Sequence, residues 1–142
     1  MKKIVLFLFL AISINIETSY CQISKIKIKK DTAFVNGEEC LKIKSNYGNC
    51  TMNDLDGNDI LYSQWFLKTD THPAYSKIIF LEEKITVTNY ATPFSKKNLI
   101  QTLISDKVLV ECKLNPKNID LFFLKYNEAV PITTNININI NE

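Results

Sequence analysis

Residues 77–105 read KIIFLEEKITVTNYATPFSKKNLIQTLIS, and the hydrophobic period changes inside this stretch. Up to Asn89 it is β-branched and aromatic, which predicts strands over Lys77 to Glu82 and Ile85 to Asn89 joined by a tight turn at Glu83-Lys84. Beyond Pro93 the apolar residues Leu99, Ile100, Leu103 and Ile104 fall on one helical face, with Ser95 placed to cap it and Phe94 placed to staple against Leu99. A chain that passes from strand period to helix period once, after a long β-rich half, reads as α+β.

Toward the C-terminus, Lys107 to Lys113 returns to strand character. Asn115 then opens a second helix with Pro116 at its first position, where a missing N–H costs nothing. Its inner face is Ile119, Phe122, Phe123 and Tyr126. After Pro131 the chain alternates, with Ile136, Ile138 and Ile140 between Asn135, Asn137, Asn139 and Asn141. This reads as a loose, low-complexity tail over 131–142, with a last edge strand as the alternative.

Toward the N-terminus, Ile60 to Leu67 reads as an aromatic strand. Its Trp65 is assigned to the core or a sheet face, with a stacking platform for a ligand ring as the alternative. The acidic stretch Asn53 to Asp59 (NDLDGND) invites a calcium reading. Setting Gly57 at the sixth position of an EF-hand loop puts Met52 and Ser63 where the first and last acidic ligands belong, so the segment is read as a turn. Cys40 to Lys44 and Ala33 to Val35 are strands joined at Asn36-Gly37. Ile23, Ile26 and Ile28 alternate with Lys25, Lys27 and Lys29 to give a half-buried first strand. The expected fold is an antiparallel β-sheet of about six or seven strands between Ile23 and Lys113, with two C-terminal amphipathic helices, 95–105 and 116–126, packed on it.

The 142-residue length allows one domain, expected over 22–130. Residues 1–21 read as a signal peptide: Lys2 and Lys3 precede the apolar run Ile4 to Ile12, and Ser19 and Cys21 are the small residues before a cleavage site at Gln22. The apolar run is shorter than the ~20 residues a spanning helix needs, so no stable membrane insertion is expected after cleavage. Lipidation of Cys21 is disfavoured because Tyr20 stands where a lipobox requires a small residue. The Met-Lys-Lys start and the abundance of Lys, Ile and Asn look bacterial. The expected location is therefore periplasmic or secreted.

In such a compartment the remaining Cys40, Cys50 and Cys112 should yield one disulfide. Cys40 and Cys50 are the first candidates, because the intervening Tyr47, Gly48 and Asn49 can reverse the chain; Cys40–Cys112 and Cys50–Cys112 stay open.

A net charge of +2, from 17 cations that are all Lys and 15 acids, shows no bias toward nucleic acid. No CxxC, P-loop, GxGxxG or GxSxG is present, and three glycines, each explained by a turn, leave nothing to cradle a phosphate. No metal site, cofactor or catalytic residue is therefore assigned. The expected function is a non-catalytic binding module of the bacterial envelope, taking a protein or envelope component. The possible binding face comprises Lys25, Lys27, Lys29 and Trp65, with the first strand's edge available for β-augmentation. Two alternatives are a small secreted hydrolase using His72 with the acids of Asp54 to Asp59, and a structural role through edge-strand pairing.

Overall fold

A computed structural model describes residues 24–90 and 94–132. The expected signal segment, Ile23 and nearly all of the Ile/Asn tail lie outside the described residues. The elements are β1 (Ile26–Lys29), β2 (Thr32–Val35), β3 (Glu38–Asn46), β4 (Asn49–Asn53), β5 (Asp59–Phe66), β6 (Tyr75–Phe80), β7 (Ile85–Asn89), α1 (Lys96–Ser105), β8 (Leu109–Val110), β9 (Lys113–Leu114) and α2 (Pro116–Tyr126). The first seven strands form one antiparallel sheet in sequence order, and β8 and β9 form a separate two-stranded ribbon. The α+β expectation holds, with the helices following the sheet.

Tight turns make this meander possible. Asn36 and Gly37 both have positive φ (55° and 101°), the conformation that a two-residue hairpin of right-handed twist requires. Tyr47 and Gly48 do the same between β3 and β4 (44° and 85°). The strand expected over Lys107 to Lys113 is instead the β8–β9 hairpin. It reverses at Glu111 and Cys112, which take positive φ (49° and 63°) without the glycine or asparagine that would have advertised the turn.

Strand alternation buries Ile26, Ala33, Leu41, Ile43, Met52, Leu61, Ile78 and Val87 on one face of the sheet. Leu99, Ile100 and Leu103 of α1 and Ile119 and Phe122 of α2 complete the same cluster. Phe122 meets Phe80 edge to face at 5.7 Å. The two helices lie at opposite margins, α1 against β1 and α2 against β7.

The disulfide joins Cys40 to Cys112, and Cys50 is a buried free thiol. This corrects the Cys40–Cys50 expectation, and hairpin geometry gives the reason. A two-residue turn at Tyr47-Gly48 sets Cys50 opposite Ser45, so Cys40 lies five residues further along β3. Cys40 reaches the helical side because it is the extra residue of a β-bulge: Ala33 pairs with Leu41 and Phe34 with Glu39, so Cys40 is unpaired and both Cys40 and Leu41 turn inward.

Candidate functional site

The alternation that feeds the core turns the intervening residues to the sheet face opposite the helices. Register places Lys27 and Lys29 of β1, Lys42 and Lys44 of β3 and Lys77 of β6 on this outer face. Phe34, Tyr62, Phe66 and Tyr75 stand among them. The Lys29 ammonium sits 5.7 Å from the centroid of Phe34, and that of Lys77 sits 5.4 Å from Phe66. Each such contact contributes roughly 0.5–1 kcal/mol at an exposed site and lays the aliphatic stem over the ring, leaving the charge in water. Lys42 bonds Glu39 at 2.8 Å and Thr32 at 3.2 Å. No other ion pair among the described residues involves a lysine of this face.

At one end of the face Phe66 and Tyr75, direct cross-strand neighbours, stack with centroids 4.4 Å apart and planes 8° from parallel. His72 meets Tyr75 edge-on at 5.2 Å. Its Nδ1 lies 2.9 Å from the Pro73 carbonyl oxygen, which can only accept, so Nδ1–H donates to it.

The sequence-derived binding face is only partly assembled. Lys27 and Lys29 do belong to the outer face. Lys25 precedes β1, exposed, with its backbone tied to Asn36: Lys25 N–H donates to Asn36 Oδ1 at 2.9 Å and Asn36 N–H donates to Lys25 O at 3.0 Å. Trp65 does not join them. It pairs with Ser76 on the helix-covered face and lines a small cavity with Gly48, Cys50 and Leu99. Four strand positions and the thickness of the sheet separate it from β1. The lysines of β3 and the Phe66–Tyr75 pair were visible singly in the sequence; only the register brings them together.

The acidic residues collect elsewhere. A cavity of about 480 Å³ between the β4–β5 turn, the β6–β7 turn and the β8–β9 ribbon is bordered by Asp54, Asp56, Asp59, Glu82, Glu83 and Glu111. No group of three His, Cys, Asp or Glu side chains among the described residues could hold a metal ion. Asp54 instead organises the turn: its Oδ1 accepts from the Asn58 N–H and its Oδ2 from the Asn58 side chain, both at 2.8 Å. Those bonds, led by the Asn58 side chain, hold the Asp54 carboxyl below the usual carboxylate range. A near-neutral net charge thus conceals a lysine face and an acidic end.

The hydrolase pairing is not assembled. His72 lies in the β5–β6 loop and Asp54 to Asp59 at the start of β5, so the eight-residue length of β5 separates them. At about 3.3 Å per residue that is ~23 Å, beyond any shared proton. Comparison with family models, with curated proteins and with solved structures gives no match.

Proposed function

We propose that this chain is a non-catalytic, exported binding module that takes an anionic protein or envelope component on the open face of its sheet. The observation that carries the reading is the clustering of Lys27, Lys29, Lys44 and Lys77 around Phe34, Tyr62 and the Phe66–Tyr75 stack on the face opposite the two helices of the described residues. One-signed charge raises the encounter rate with an anionic surface, and flat aromatic rings supply contact area at little entropic cost. Export is supported by the signal-like N-terminus. The Cys40–Cys112 disulfide is compatible with it, as is the finding that no helix among the described residues is long and apolar enough to cross a membrane.

The test is retention on the host's own envelope fraction and on an immobilised carboxylated polysaccharide. The wild type is compared with a K27E/K44E/K77E variant, whose changed residues lie outside the buried core. Retention that weakens with added salt and falls about tenfold or more in the variant, at unchanged thermal midpoint, is the expected result. Equal retention of both proteins would refute the reading.

A further inference from the structure

The two edges of the sheet are finished differently. Along β7, Thr88 N–H donates to Asn127 Oδ1 at 2.9 Å, Glu128 N–H donates to Thr88 O at 2.7 Å, and Tyr90 N–H donates to Glu128 Oε2 at 3.0 Å. The segment that leaves α2 therefore occupies most of that edge. Along β1 the Asn36-to-Lys25 bond sets the ladder, so Lys27 and Lys29 bond to β2 while the N–H and C=O groups of Ile26 and Ile28 point outward. Among the described residues nothing pairs with them.

What fits beside β1 is restricted by its sequence, Ile-Lys-Ile-Lys. A second copy of β1 would bring lysines against Lys27 and Lys29, which like-charge repulsion disfavours. The segment Asn135–Asn141 has the same period but carries no charge. Set against β1, it continues the apolar row of Ile26 and Ile28 with Ile136, Ile138 and Ile140 and faces the lysines with asparagines. Just before β1, Ser24 lines an open cavity of about 480 Å³ whose apolar lining includes Val35, Ile104, Leu109 and Val110. Val110 is 44% exposed and would gain cover there.

The chain enters this segment from the opposite margin. Glu128 is fixed at β7, and β1 is the far edge of a seven-stranded sheet. Six strand spacings of about 4.8 Å make ~29 Å across the sheet. Ile136, eight residues beyond Glu128, reaches at most about 29 Å when fully stretched, and would arrive across the strands instead of along β1. We infer that residues 133–142 of one copy add as an eighth strand to the β1 edge of a second copy, giving head-to-tail assembly. This site is distinct from the lysine face.

Sedimentation of the full chain tests the inference, alongside a chain lacking residues 133–142 and an I138P variant, whose proline cannot donate to a ladder. The expected result is a mass that rises with concentration for the full chain and stays at one chain for both variants. A synthetic 133–142 peptide should bind the shortened chain and dissociate the full-length assembly. Assembly that persists without the tail overturns the inference, as does a full chain that stays monomeric at all concentrations. In the latter case, peptide binding to the shortened chain alone would show that the tail closes on its own chain. A K44E/K77E variant, changed only away from β1, reads the other site: it should weaken retention on the envelope fraction and leave the assembly unchanged.

Discussion

Cys50 differs from the other two described cysteines in what surrounds it. It is 5% exposed, facing the core beside Met52 and Leu99, and burial pushes its thiol up from its ordinary value of 9.0. A thiol whose folded pKa is raised favours the folded state while it is protonated. That contribution is fully present below the unfolded value and is lost as pH rises through the folded one. Native protein at pH 8 should therefore resist alkylation at Cys50 and react there only on unfolding, as peptide mapping would show; rapid labelling of the native chain would contradict this burial. The disulfide acts differently, closing a loop of 72 residues in the unfolded chain. On chain-entropy grounds C40S or C112S should each cost about 4 kcal/mol in urea unfolding, whereas C50A should keep the disulfide mass deficit. Part of this was legible in the sequence. Once the reversal is placed at Tyr47-Gly48, counting outward pairs Cys50 with Ser45 and leaves Cys40 elsewhere. That Cys112 meets Cys40 was not legible, because it depends on a bulge in β3 and on packing between segments far apart in sequence.

At the level of single elements, the strands of the meander and both helices follow from local signals, and the cap residues show how far those signals go. Ser95 Oγ accepts from the Asn98 N–H at 3.2 Å, as its position before the apolar periodicity suggested, while Asn115 makes no side-chain bond to its helix and leaves the start to Pro116. S95A should therefore cost about 1 kcal/mol and N115A only a few tenths, measured by urea unfolding of the otherwise unchanged chain. Similar losses at both positions would mean that Asn115 caps in solution. The β8–β9 hairpin escaped sequence reading because its turn is chemically unmarked. Glu111 and Cys112 occupy left-handed backbone that asparagine and glycine tolerate better. Since the Glu111 side chain is exposed and makes no ion pair among the described residues, E111N should raise stability by about 0.5–1 kcal/mol. A loss of stability would show that the left-handed conformation is not maintained.

The whole molecule joins a sheet built by successive local hairpins to a helical cover built by distant contacts. Each of the seven strands pairs with its neighbour in sequence, so the meander was readable one turn at a time. The distribution of charge was not, because whether a lysine on β3 lies beside one on β1 or β6 depends on register and on which face the helices take. The cover is held by Leu99, Leu103, Ile119 and Phe122 in the core, by the Asn127 and Glu128 bonds to β7, and by the disulfide to β3. Of these attachments only the disulfide ties the β8–β9 ribbon covalently to the sheet. Local opening free energies follow how each segment is anchored, so reduction should act unevenly. In hydrogen exchange on the reduced protein, the Asn115 amide, which bonds the Val108 carbonyl across the ribbon at 2.7 Å, should lose protection first, while amides at the centres of β5 and β6 keep theirs. Uniform loss across ribbon and sheet would mean that the disulfide supports the whole fold as one cooperative unit, and that the sheet does not stand on its own hairpins.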